Sequence, residues 1–371
     1  MTQVDNHEDN VRGLKRLSAI LDIYPAAFDG DPLNLLFVEA DAPIRSADAF
    51  LRALDGPTLL EERRQYLLGS KSDWPFPTVE VGCRPDPWAV SHALFTRFHV
   101  ASEILKSQSD IGPVLYEMAD PEIFDVVALM VVDGLSYYDL PEQVRAEPCL
   151  VRGVTTTDYG VRQVIGRPSI SQTLFSKGYC TQIGLTFYDV HETPLARELY
   201  APFGAAEVSR VNSFQDAMDV IVASHMRRGY VQVISPGLDS LCHHHLDVPP
   251  RSEYLGTILD RFETLLTTLS GLGCHVLGCL TADHGIMWRD HMGDKIEIAE
   301  RLVRGDQFHP RYVLGSVLAH YSLIMRLGGR AYSLLAAPYL TRPLRHGEWG
   351  VHGGISAWES IVPMIIRTQP A

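Results

Sequence analysis

A chain of 371 residues with 46% hydrophobic and 21% charged side chains can bury a substantial core, and two domains are expected. Its net charge of −13 argues against a broad electrostatic grip on nucleic acid or on an anionic membrane. No apolar run is long enough to span a bilayer, the acidic start is unlike a secretory leader, and the six cysteines form no C-x-x-C pair; a cytoplasmic protein with reduced thiols is the expectation.

Residues 1 to about 12 read as disordered. A strand is expected over Leu33–Ala40, helices over Ser46–Leu54 and Glu61–Leu68, a loop around Trp74–Pro77 and Cys83–Trp88, and a helix from Ala89 to Lys106. Residues 1–120 form a smaller mixed α/β region of unassigned role, for which an adaptor or gating part is the default.

After Pro121 the pattern changes to strands alternating with helices, which predicts a mostly parallel sheet flanked by helices over residues 121–371. Strands are expected at 125–132, 151–157, 179–185, 206–211 and 230–234, and from Val276 up to Asp283. Helices are expected at 171–177, 213–227 and 252–269. Ile361–Arg367 reads as a last strand, and Pro363 suggests that it lies at an edge.

Four strand ends share one layout. Asp133-Gly134 follows the first strand of the alternating region, Asp239 and His243 follow another, and Asp283-His284-Gly285 ends a third. His352 lies in a glycine-flanked stretch before the last strand. In a parallel sheet such ends lie along one edge, where open α/β sheets place their ligands. Each place has an ordinary alternative, a turn, a capping aspartate or a lone histidine. Together, three carboxylates and three imidazoles can hold two divalent ions.

A nucleophile is expected between the first aspartate and the rest. Pro168-Ser169-Ile170-Ser171 opens a helix, whose free N–H groups favour phosphate, although either serine alone reads more simply as an N-cap. Thr155, Thr156 and Thr157 are a weaker alternative, read as a strand end with no helix after it. Arg162 and Arg167 lie nearby and could steady phosphate oxygens, with a solvated surface role as the plain alternative.

The ordered set resembles the alkaline phosphatase superfamily, and within it the PglZ domain of bacterial phage-defence and signalling proteins. The segments that carry the resemblance are Val131–Leu135, Pro168–Ser171, Asp239–His243, Thr281–Gly285 and His352–Ser356, with Trp358–Pro363 matching the end of the domain. It covers about residues 121–371. The resemblance implies one metal held by Asp239, His243 and His352 and a second held by Asp133, Asp283 and His284. It selects Ser171 over Ser169 as the nucleophile. Zinc fits the mixture, with manganese as the alternative.

The implied activity is metal-dependent hydrolysis of a phosphate ester, more in keeping with a nucleotide or nucleic-acid phosphodiester than a monoester. Protein partners of a defence or signalling complex are implied, and no membrane. A phosphomutase or phosphomonoesterase, or a non-catalytic adaptor with a structural metal site, are the competing readings. A sulfatase fits less well, because neither Cys149 nor Cys180 lies in a Cys-x-Pro-x-Arg context.

Overall fold

The computed structural model describes residues 86–189, 208–243, 245–299, 309–317 and 319–371. Contacts divide the chain into two units, residues 1–106 and 107–371. The expected N-terminal strand, its two helices and the Trp74 loop lie outside the described residues. In the first unit two helices are described, Pro87–Thr96 and Phe98–Ile104, where one continuous helix was expected. Asp86 caps the first, accepting from the Ala89 N–H, and Arg97 interrupts the run with non-helical φ −133°.

In the second unit the strands used below, in chain order, begin with β1 (Val126–Val132), β2 (Glu147–Leu150), β3 (Thr181–Thr186), β4 (Val208–Arg210), β5 (Gly229–Ser235) and β6 (Val276–Ala282). They continue with β7 (Met287–Trp288), β8 (Tyr312–Leu314), β9 (Ser322–Leu327), β10 (Arg330–Leu335), β11 (Gly350–Val351) and β12 (Ile361–Gln369). The helices that matter are α1 (Ile111–Met118), α2 (Thr157–Ile165), α3 (Ile170–Ser176), α4 (Phe214–Ala223), α5 (Asp239–Cys242), α6 (Arg251–Gly271) and α7 (Ala357–Ser360).

Of the eight strands of the central sheet, the seven that lie wholly in the second unit run in the order β2-β12-β6-β1-β5-β3-β4. β6, β1, β5, β3 and β4 are mutually parallel, and β12 runs antiparallel between β6 and β2. All residues of β1, β5 and β6 are buried, as expected of strands in a sheet covered on both faces; β1 is apolar throughout, while β5 also buries Gln232 and Ser235 and β6 buries Thr281. The fold is therefore α/β, with a mostly parallel sheet flanked by helices.

Two strand expectations are corrected. β12 is interior rather than an edge. Pro363 faces Pro148 of short β2, and pairing with β6 starts only at Met364, so the missing N–H interrupts no β6 bond. The segment 151–157 is not a strand: β2 ends at Leu150, and an irregular turn leads into α2 at Thr157. That helix had been missed, although Val161, Val164 and Ile165 bury one face of it.

Helix α6 shows how the faces are covered. Leu255, Ile258, Phe262, Leu265, Leu266 and Leu269 recur at helical spacing and are buried. Leu266 fills the space above Gly278 of β6, where an added Cβ would stand 2.4 Å from its Cδ2. Cys149, Cys242, Cys274 and Cys279 are buried free thiols, and Cys180 is an exposed one. No helix among the described residues is long and apolar enough to cross a membrane.

Truncating Leu266 to alanine should leave a cavity between α6 and β6 and cost about 2–5 kcal/mol. A lowered urea midpoint with an unchanged slope checks this.

Candidate metal centre

The strand ends meet as parallel register demands. Val132 is level with Ser235 of β5 and Ala282 of β6, so the residues that follow emerge together at the carboxyl edge. Backbone bonds lock the departing loops to one another. The Asp133 N–H donates to the Ser235 carbonyl, Asp239 N–H to the Asp133 carbonyl, Asp283 N–H to the Val132 carbonyl, and Leu135 N–H to the His284 carbonyl. Gly134 makes the turn at φ +72°, and its N–H donates to Asp283 Oδ1 at 3.0 Å. His352 arrives by a different route: β11 pairs with β7, just beyond His284.

The six predicted ligands fall into two groups. Asp239, His243 and His352 offer ligand atoms within 4.8 Å of one another, and so do Asp133, Asp283 and His284. The groups adjoin, because the rings of His284 and His352 stack at 4.1 Å with 16° between their planes. His352 Nε2 lies 3.3 Å from Asp239 Oδ1, and His243 Nε2 lies 3.7 Å from the same oxygen. In the second group His284 Nε2 is 3.5 Å from Asp133 Oδ1 and 3.7 Å from Asp283 Oδ2.

Each inner histidine is oriented by a backbone carbonyl. His284 Nδ1 donates to the Gly285 carbonyl at 3.1 Å and His352 Nδ1 to the Thr155 carbonyl at 2.9 Å. A carbonyl only accepts, so Nδ1 carries the proton and Nε2 faces the carboxylates, the arrangement metal-binding histidines adopt. Asp283 is fully buried. Its Oδ1 accepts from the Gly134 and His284 N–H groups, while its Oδ2 has no hydrogen-bond partner. A buried carboxylate oxygen without a donor marks a place where a cation fits.

The electrostatics agree. Burial lifts Asp283 to about 7, against the opposing charge of His284. Burial alone would lower His284, but Asp283, Asp133 and Asp239 reverse it and hold the imidazole up to about 10. Burial works to raise Asp133, yet the hydrogen bond and charge of His284, joined by the Tyr188 hydroxyl, keep it below its ordinary value. Burial, followed by the charge on His284, lowers His352. Without a metal, the pocket holds a proton on His284 as its cation.

Ser171 is not brought to this place. Its hydroxyl donates to Gln182 Oε1 at 2.5 Å, and Gln182 lies at the amino end of β3, level with Tyr230 and through it with Val127. Asp133 is six residues further along the sheet, roughly 20 Å at about 3.3 Å per residue. Ser169 caps α3, its hydroxyl accepting from the Gln172 N–H at 3.2 Å while the Ser169 N–H donates to Gln172 Oε1 at 3.0 Å. The Pro-Ser-Ile-Ser segment is a helix start.

Among the described residues the serine or threonine hydroxyl at the clusters belongs to Thr157, the first residue of α2. Its Oγ1 lies 3.4 Å from Asp133 Oδ1 and 3.3 Å from His284 Nε2. Gly160 lets this helix approach, since an added Cβ would stand 1.9 Å from the Asp283 carbonyl oxygen. The detectable signal was a run of threonines followed by Asp158 and an amphipathic Tyr159–Ile165, a helix start rather than a strand end.

Neither predicted arginine contacts the clusters through its described partners. Arg162 pairs with Asp158 at 3.2 Å on the same helix. Arg167 lines a cavity of about 490 Å³ with Pro113, Tyr116 and Ile170, and none of the six cluster residues lines that cavity.

Three residues outside the motifs do engage the site. Tyr188 donates to Asp133 Oδ2 at 2.5 Å. Buried Gln108 donates through Nε2 to the carbonyls of Ala282 and Asp283 at 2.7 and 2.6 Å. His309 stacks on Tyr312 at 4.5 Å, and its ring lies 5.1 Å from that of His352. Burial, with His352 and His284 beside it, pushes His309 down to about 2, so it stands beside the clusters as a neutral ring.

The raised His284 fixes a pH signature for the protein held in a chelator. Its contribution to stability should be fully present below about 6.5, the ordinary histidine value. It should be lost as pH rises through about 10. Asp283, also raised, loses its own share by about 7, so the alkaline part of the window belongs to His284. Urea unfolding of wild type and His284→Gln from pH 6 to 10.5 should show the two converging at the alkaline end.

No protein-family model matches the chain, and no curated protein matches it. Several solved structures share part of its chain path. Murine ectonucleotide pyrophosphatase/phosphodiesterase 5 in complex with AMP is 12% identical with a TM-score of 0.41, over 64% of this chain and 87% of that one. Phosphonoacetate hydrolase from Sinorhizobium meliloti in complex with phosphonoformate is 15% identical with a TM-score of 0.40, over 66% and 90%. The C-terminal periplasmic domain of a phosphoethanolamine transferase from Campylobacter jejuni is 8% identical with a TM-score of 0.33, over 66% and 80%. Likeness at this level assigns no activity to this chain.

Proposed function

We propose that the protein is a metal-dependent phosphoester hydrolase of the alkaline phosphatase type, with Thr157 as its nucleophile. The observation that carries this reading is the hydroxyl of Thr157 beside Asp133 and His284, next to two groups of three ligand side chains.

The residues fit two divalent ions. Asp239, His243 and His352 would hold one, and Asp133, Asp283 and His284 the other, with the unpartnered Asp283 Oδ2 and the two Nε2 atoms as ready donors. Mixed carboxylate and imidazole ligands favour zinc, with manganese as the alternative. Bound divalent cations would supply Lewis acidity toward phosphoryl oxygens and favour the ionised form of the attacking hydroxyl.

The chain's own groups do the rest. Thr157 opens a nine-residue helix, so free N–H groups of its first turn point toward the place where phosphoryl oxygens would lie. Asp133 accepts from the Thr157 hydroxyl and can take its proton as Oγ1 bonds to phosphorus. The leaving oxygen departs with its bonding pair, and water then cleaves the phosphothreonyl ester to free the enzyme.

A diester is the favoured form of substrate. The resemblance of the ordered motifs to the PglZ domain supports a nucleotide or nucleic-acid phosphate as the diester. With a net charge of −13, a partner protein would deliver any long nucleic acid.

Hydrolysis of bis-(p-nitrophenyl) phosphate and p-nitrophenyl phosphate with Zn²⁺, Mn²⁺ or EDTA tests the proposal. Metal-dependent turnover of the diester is expected, falling on the order of 10³-fold or more in Thr157→Ala and in Asp283→Ala, while Ser171→Ala stays near wild type. Turnover lost in Ser171→Ala but kept in Thr157→Ala would overturn the nucleophile. No turnover with any metal would overturn the enzyme.

A further inference from the structure

Glu359 has no place in the chemistry described above, yet it is completely buried and fully bonded. Its Oε1 accepts from Arg311 Nε at 3.0 Å and from the Gly354 N–H at 2.9 Å. Its Oε2 accepts from Arg311 Nη2 at 2.7 Å and from the Ser356 hydroxyl at 2.6 Å. Arg311 is equally buried. Its remaining donors reach the carbonyls of Leu335, Ala336 and Tyr339, which ties the β8–β10 region to the ion pair.

The bonds leading away from Glu359 end on the metal-ligand histidines. The Gly285 N–H donates to the Glu359 carbonyl at 2.9 Å, and the Gly285 carbonyl is the acceptor that orients His284. On the other side, the Glu359 carboxylate holds Gly354, whose carbonyl accepts from the Thr155 hydroxyl at 3.0 Å. That hydroxyl accepts from the Gly353 N–H at 2.7 Å, and the Thr155 carbonyl orients His352. Thr155 in turn lies two residues before Thr157. One buried residue thus joins the supports of His284, His352 and the threonine turn.

We infer that Glu359, with Arg311 as its counter-ion, is a positioning residue for the metal centre, holding His284 and His352 in the ring orientations that present both Nε2 atoms to the carboxylates. The inference rests on the metal reading proposed above. A pair that served only to anchor the β8–β10 region would bond to the strands alone. The carboxylate instead takes Gly354 and Ser356, in the loop that follows His352, and the backbone of the same residue takes Gly285. Arg311 also sits two residues after His309, whose ring packs beside His352.

Co²⁺ titration of the full-length protein, followed by the visible d–d absorption and by calorimetry, tests this without relying on turnover. Wild type should bind Co²⁺ at two sites. Glu359→Gln and Ser356→Ala, measured below their unfolding temperatures, should bind it more weakly, by about 10- to 100-fold for Glu359→Gln, as loss of an outer-shell support does. The d–d band should shift in position and intensity. If Glu359→Gln does not fold with Arg311 left unpaired, the double variant Arg311→Met/Glu359→Gln removes both charges together and should show the same shift. Leu266→Ala, destabilised far from the site, should titrate like wild type.

Folded variants with the wild-type affinity and band would overturn the positioning role while the metal reading stands. Equal weakening in Leu266→Ala would also overturn it, by showing that lost stability alone moves the titration. A wild-type protein that binds no Co²⁺ would overturn the metal reading, and this inference with it.

Discussion

The Asp283 carboxylate sets the terms for the whole sheet edge. It is fully buried, it takes two backbone N–H groups on one oxygen, and it leaves the other oxygen without a donor. Burying a charge in that state is costly unless a cation compensates it. The neighbouring groups respond accordingly: His284 is driven up to about 10, and Asp133 is held low beside it. A cluster that concentrates three aspartates around two stacked imidazoles is built for positive charge. In the proposed reading that charge is metallic, and a proton on His284 stands in for it when metal is absent.

Close packing makes this arrangement stiff. β1, β5 and β6 are in register at Val132, Ser235 and Ala282, and the loops beyond them share backbone bonds. Gly160 brings α2 against Asp283 closer than any side chain would allow, which delivers Thr157 to the carboxylates. Gln108 fastens the carbonyls of Ala282 and Asp283 from beneath. Glu359 braces both inner histidines from the side. Preorganisation of this kind is what catalysis by fixed charges requires, because supporting groups that do not move cost nothing when substrate charge develops.

The sequence made much of this legible. Short, largely apolar runs marked β1, β5 and β6 as strands of a parallel sheet, and an acid or imidazole soon after each run marked the candidate edge. The convergence of Asp133, Asp239, His243, Asp283 and His284 was readable because residues following parallel strands meet at one edge, whereas His352 reaches the same place from the antiparallel pair of β11 and β7. Thr157 ranked behind Ser171 because the threonine run read as a strand end with no helix after it, whereas Pro168–Ser171 read as a helix start. Pro168-Ser169-Ile170-Ser171 and the threonine run both start helices, and only the sheet decides which start faces the carboxyl edge. Ser171 sits by Gln182 at the amino edge instead. The support given by Gln108, Tyr188 and Arg311 was invisible, because a long-range hydrogen bond leaves no periodic trace along the chain. The interior place of β12 was misjudged because Pro363 faces Pro148, a pairing that no single-strand pattern reveals.

The central claim is that two cations bind where the three aspartates and three histidines converge. Anomalous diffraction from crystals grown with zinc, collected on both sides of the zinc edge, tests it most directly. The account predicts two strong peaks, one bounded by Asp239, His243 and His352 and the other by Asp133, Asp283 and His284, with Thr157 Oγ1 next to the second. Peaks confined to surface histidines, with none at either group, would contradict it.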